Sequence, residues 1–122
     1  MYIFFSSTEN AIPFGLSKFV HMTSRVYVFD IIDNKILNQK LVYDFKPFFS
    51  DGFRCDKDGN IWTSAGKGIK CFNPNNDLIG QLLVPELVSN LEFGGKEGNI
   101  LYVTATSSLY SLELNQVGAK FK

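Results

Sequence analysis

Two eight-residue stretches, "CDKDGNIW" at 55–62 and "GGKEGNIL" at 94–101, say nearly the same thing 39 positions apart in a chain of 122 residues. In both, a Gly-Asn pair follows two charged residues and precedes an apolar run. Gly59 and Gly98 supply the positive φ angle that a short hairpin requires. Two further turns are written in different residues: Pro and Asn in "NPNND" (73–77) and Asp-Asn in "DIIDNK" (30–35).

Between the turns lie β-branched and aromatic runs: "YIFFS", "KFVHM", "RVYVFDI" and "KLVYDF", then "FRCD", "NIWTSA", "GIKCFN" and "LIGQLLV", then "NLEFG", "NILYVTA" and "SLYSLELN". They predict about eleven short strands in sets of four, four and three. No long window carries a 3.6-residue period, and the most helix-like segment is a short turn near Pro85–Val88. The chain is therefore expected to be all-β. A unit of about 40 residues with four antiparallel strands is the signature of a β-propeller blade. In register, Asp51 at the start of one unit matches Asn90 at the start of the next. The expected divisions are a divergent blade over 1–46, a blade over 47–85, a last blade lacking its outer strand over 86–116, and a tail over 117–122.

A closed propeller takes about four to eight blades, so three leave open flanks, and self-association through unpaired strand edges is expected. A propeller that closes with an N-terminal strand leaves its last blade one strand short, so the end at Lys122 is expected to be natural and the start at Met1 not.

Twelve Lys and Arg balance twelve Asp and Glu, which predicts no nucleic-acid partner. No run of about eighteen apolar residues predicts a membrane span, and no basic region precedes the apolar start. A cytoplasmic location is the expectation. Cys55 and Cys71 fall on first and third strands of one blade, about 10 Å apart at the spacing of neighbouring strands, so both thiols are expected to be free. "DKDGN" lacks the spacing and closing Glu of an EF-hand and reads as a hairpin. "SAGKGIK" lacks the strand–loop–helix setting of a phosphate loop. His21, the only histidine, reads as a strand residue without a catalytic role.

The combination over 47–114 of the "DG" pair at 51–52, "D-x-x-GN-[IL]-W", the Gly-rich turn, "F-x-P" and "N-L-x-F-GG…LYVT…SLY" resembles the C-terminal blades of the gluconolactonase/regucalcin (senescence-marker-protein) family. That resemblance implies the C-terminal half of a six-bladed propeller whose relatives include divalent-metal-dependent lactonases. It implies a lactone substrate, and a cation held on the propeller axis by oxygen ligands, Ca²⁺ first and Zn²⁺ or Mg²⁺ as alternatives. It makes Asp51 the metal ligand and catalytic residue, and Asn90 a substrate-binding residue. The chain departs from the pattern at two ligands: the blade that carries the family's Glu has no counterpart, and Met1 stands where the family has Asn. The chain alone is therefore expected to hydrolyse no lactone above background. The alternatives are a catalytically inactive, truncated or degenerate propeller piece, or a non-enzymatic binding scaffold.

Overall fold

The computed structural model describes the backbone of residues 2–6 and, with side chains, residues 25–121. The strand expected at Lys18–Met22, with His21, and the position of Met1 lie outside the described residues. Two compact units divide the chain, Met1–Phe49 and Ser50–Lys122.

In the first unit β1 (Tyr2–Ser6), β2 (Arg25–Ile32) and β3 (Lys35–Asp44) form an antiparallel sheet in that order. Asp33 and Asn34 close the β2–β3 hairpin with φ of 49° and 60°. Two successive left-handed residues make the turn whose twist matches that of paired strands. At the far end Arg25 and Asp44 face each other across the strands, 3.0 Å apart. The hydrogen bond from Arg25 holds the Asp44 carboxyl below its usual range. β3 starts earlier than "KLVYDF" suggested: Lys35, Ile36 and Leu37 pair with Ile32, Ile31 and Asp30, and Asn38, at a left-handed φ of 55° and bonded to Asp30 at 2.9 Å, marks a break in register beyond them.

The second unit holds two antiparallel sheets. One runs β4 (Phe53–Cys55), β5 (Ile61–Ser64), β6 (Gly68–Phe72) and β7 (Leu78–Leu83), each strand paired with the next. The other runs β8 (Val88–Gly94), β9 (Ile100–Ala105) and β10 (Leu109–Glu113). No helix occurs among the described residues, and the Pro85–Val88 segment is a bend that passes directly into β8. Gly59 and Gly98 have φ of 80° and 74°, and Asn76 closes the third hairpin at 70°. The positive angles fall on the residues whose chemistry demanded them.

Alternation sets the core. Leu91 and Phe93 of β8 and Leu101 and Val103 of β9 point to one face, where they are buried with Val88 and with Ile69 of β6. Trp62, Leu82, Val84 and Tyr110 pack against them. Each such aliphatic or aromatic side chain contributes about 1.5–3 kcal/mol when taken from water. The chain after β10 ties the two repeated turns together. Gly118 donates its N–H to Gly98 O (3.0 Å), Lys57 donates to Val117 O (2.9 Å), and Ala119 donates to Cys55 O (2.9 Å).

Cys55 and Cys71 are both free, on β4 and β6 with β5 between them. Burial pushes Cys71 up to about 12, and it also raises Cys55. Neither thiol is poised to act as a nucleophile near neutrality.

Candidate functional site

Asp51 sits in the turn that leads into β4, and its placement comes from the end of β5. Ser64 is fully buried. Its hydroxyl oxygen accepts two consecutive backbone N–H groups, from Asp51 at 2.8 Å and from Gly52 at 3.1 Å. Ser64 returns the contact by donating its own N–H to Gly52 O at 2.9 Å. Thr63, equally buried, shares a hydrogen bond with the hydroxyl of Ser50 at 2.5 Å, and its hydroxyl lies 3.3 Å from Gly52 O. The backbone of 50–52 is thus held on both sides. The Asp51 side chain is exposed, and among the described residues no side chain bonds its carboxylate.

Asn90, the third residue of β8, lies directly over Gly52: a Cβ built on that glycine would stand 2.1 Å from Asn90 Oδ1. A side chain at position 52 would have to displace the Asn90 amide and press on its Cα, 3.2 Å away. The same oxygen accepts the N–H of Leu91 at 2.8 Å. The structure therefore brings together the two positions that the repeat put in register.

A second acidic residue holds the same end of the sheets and was not singled out from the sequence. Glu86, in the β7–β8 connection, accepts from Ser107 N (2.7 Å), Ser107 Oγ (3.0 Å), Tyr110 OH (2.8 Å) and the Ser108 hydroxyl. These bonds, the one from Ser108 foremost, lower its pKa from 4.5 to about 2. The connection is further pinned by Val88 N to Gly66 O (2.8 Å) and Thr106 N to Leu87 O (3.1 Å). All four donors are spent on one carboxylate, so Glu86 is a clasp between loops.

The sign of its effect on stability is fixed by the lowered value. The clasp contributes in full above about pH 4.5 and is lost as the pH falls from there towards about 2. Thermal melting of wild type and Glu86→Gln should show the variant melting lower at pH 7 and the gap closing below pH 2. A gap of constant size across this range would contradict the assignment.

Asp56 is the buried carboxyl of the unit. It accepts from Asp58 N (3.0 Å), Asn60 N (2.9 Å), Asn60 Nδ2 (2.8 Å) and Trp62 Nε1 (2.9 Å). The "DKDGN" turn is thus folded around its own aspartate, which has no room left for a cation. Within β8, Glu92 pairs with Arg54 of β4 (2.7 Å) and with Lys120 (2.8 Å). Burial pulls Glu92 up, but the two cations outweigh it and leave the carboxyl below its ordinary value.

A hard divalent cation asks for several oxygen ligands, six to eight in the case of Ca²⁺. Asp51 and Asn90 have suitable donor chemistry but are too few. Among the described residues, no three His, Cys, Asp or Glu side chains are grouped so that they could hold a metal. The described residues do not by themselves make a metal centre.

The family model described as the SMP-30/Gluconolactonase/LRE-like region matches residues 21–107, well over half of the chain. The chain belongs to the SMP-30/gluconolactonase/LRE-like family. Among proteins of known role, it is 26% identical over 95 residues to the lactonohydrolase OryH of Aspergillus oryzae, covering 76% of this chain and 20% of that one. A crystal structure assigned as a gluconolactonase superposes with a TM-score of 0.73 at 34% identity, over 80% of this chain and 34% of the other. The calcium-binding protein regucalcin of Agrobacterium tumefaciens shares the fold, with a TM-score of 0.67 at 16% identity over 85% of this chain and 43% of its own. The chain spans a fifth of the curated relative's length and less than half of each solved one. The sheets described above are thus part of a β-propeller of the family.

Proposed function

We propose that this chain carries the Asp51–Asn90 part of the pocket of a divalent-metal-dependent lactonase propeller. One observation carries the reading. Asp51 is an exposed carboxylate without a described side-chain partner, on a backbone fixed from both sides, next to an amide held over the adjoining glycine. Lactone hydrolysis adds water to the ester carbonyl and breaks the ring C–O bond, giving a carboxylate and a free hydroxyl. Asp51 serves as one ligand of a hard cation, Ca²⁺ before Zn²⁺ or Mg²⁺. Asn90 serves as a hydrogen-bonding wall for the substrate. The remaining ligands are supplied from outside the described residues, so no reaction step is assigned to this chain alone. The lactonase names of the relatives support the substrate class, and the calcium-binding regucalcin supports the cation.

The competing reading is a non-catalytic propeller piece, favoured by the missing group of metal-ligating side chains among the described residues. Replacement of the matching stretch of the 34%-identical relative by residues 47–114, measured beside the unaltered relative and its own hydrolysis of a gluconolactone, decides between them. The chimera should hydrolyse a gluconolactone. Asp51→Ala within it should cost more than about 100-fold in rate, since even the residues behind metal ligands cost 10–100-fold. A chimera with native circular dichroism but no hydrolysis, or one indifferent to Asp51→Ala, would sink the proposal.

A further inference from the structure

We infer that Ser64 is the positioning residue for Asp51: its buried hydroxyl sets where the Asp51 carboxylate stands ahead of β4. The inference rests on Asp51 being a site residue and says how that residue is held. Two consecutive N–H groups converging on one acceptor form a concave backbone arrangement of the kind that elsewhere receives anions. Here the cradle of Asp51 and Gly52 is filled from within by Ser64 Oγ, at 2.8 and 3.1 Å. That contact turns the segment so that the next backbone group, Gly52 O, meets Ser64 N at 2.9 Å and Thr63 Oγ1 at 3.3 Å. With both backbone faces occupied, the Asp51 side chain is left facing solvent. A Ser64 acting merely as a core residue would need no hydroxyl, because its side chain lies among buried neighbours, and an alanine would fill nearly the same space. The oxygen is there for the two N–H groups, which burial would otherwise leave without a partner.

The same reasoning explains why Thr63 and Ser64 stand together at the end of β5, where a strand in an apolar core would ordinarily carry aliphatic residues. The neighbouring sheet has hydroxyls at its matching position as well: Ser89 and Thr104 bond each other at 3.0 Å, and Thr104 donates to Asn90 O at 3.4 Å. Asn90, however, lies inside β8 and is also held by the ladder, with Thr104 as its partner. Asp51 precedes its strand and has no ladder pairing, and there the Ser64 hydroxyl takes its N–H instead.

Amide hydrogen exchange and carboxyl ¹³C shifts, measured by NMR on the full chain, test this. In wild type the Asp51 and Gly52 amides should exchange slowly, and the Asp51 carboxyl carbon should resonate away from the position of an unstructured aspartate. Ser64→Ala should accelerate exchange at those two amides by about tenfold or more. It should also move the carboxyl resonance towards the unstructured position, while the amides of Leu91 and Val103 keep their protection. Ser64→Thr, which retains the hydroxyl, should restore both signals. Fast exchange at Asp51 in the wild type overturns the inference without any variant. So does a Ser64→Ala chain in which the carboxyl shift is unmoved, or in which protection falls evenly through the sheets. None of these signals depends on lactone turnover, so a failed chimera and a failed positioning role remain separate results.

Discussion

Replacing Asp56 with alanine should destabilise the second unit by about 3–5 kcal/mol, because each buried donor left without an acceptor costs about 1–3 kcal/mol. The carboxylate is 1% exposed and gathers four donors, two from the turn backbone, one from Asn60 and one from the indole of Trp62. Alanine leaves all four without that acceptor, the two from Asn60 in buried surroundings. Urea unfolding followed by the fluorescence of Trp62, the only tryptophan, reads the loss directly at the group involved. Asp56→Asn keeps the shape and one accepting oxygen, and should recover part of the stability. By contrast Asp51→Ala, at an exposed carboxylate, should stay within about 0.5 kcal/mol of wild type. Two aspartates five positions apart are thus separated by experiment into one that folds the turn and one that faces solvent. An Asp56→Ala chain within about 1 kcal/mol of wild type would show that the four contacts are not what holds the hairpin.

The contrast also shows what the residue order could reveal. Gly59, Gly98, Asn76 and the Asp33–Asn34 pair were legible because a positive φ restricts the choice of residue so sharply. The repeat put Asp51 and Asn90 in register, and the glycine between Asp51 and β4 proved to be where Asn90 lies. The role of Asp56 was not legible, since the second copy of the turn does without it. There Gly95, with φ of 81° and Ile100 packed where a side chain would begin, occupies the matching place. One turn is built around a carboxylate and the other around a bare backbone, yet both present the same Gly-Asn signature.

Ser64 and Glu86 were missed for a related reason. A serine in a strand and a glutamate after a proline are ordinary residues, and only the fold shows their partners. Ser107 and Ser108 lie 21 and 22 positions from Glu86, and Ser64 lies 13 from Asp51. No local pattern encodes such pairs. The chain after β10 was read simply as a tail, although its backbone stitches the two repeated turns together. Backbone-to-backbone contacts of this kind leave almost no trace in residue type, apart from the glycine at 118 that lets the chain lie against Phe93.

That contact leads to the second large effect. Phe93→Ala should cost about 3–5 kcal/mol, the usual range for emptying a buried aromatic site. Phe93 is 1% exposed, within the cluster formed by Ile69, Leu91, Leu101 and Val103. Its ring meets Trp62 edge-on, with centroids 6.0 Å apart and planes at 89°. On another side Gly118 comes so close that a Cβ there would stand 2.4 Å from Phe93 Cβ. One ring thus joins the sheet of β8–β10, the sheet of β4–β7 through Trp62, and the chain after β10. Trp62 is in turn held by Asp56 through its indole N–H. The two substitutions therefore share a partner, and their costs should not add. The double variant should depart from the sum by about 0.5–3 kcal/mol, as residues in one connected network do. A sum that holds within about 0.3 kcal/mol, the tolerance expected for independent sites, would mean that Trp62 does not transmit the turn's geometry to the core. If the coupling is found, the repeated hairpin and the packing between the two sheets form a single cooperative unit, with Asp56, Trp62 and Phe93 as its spine.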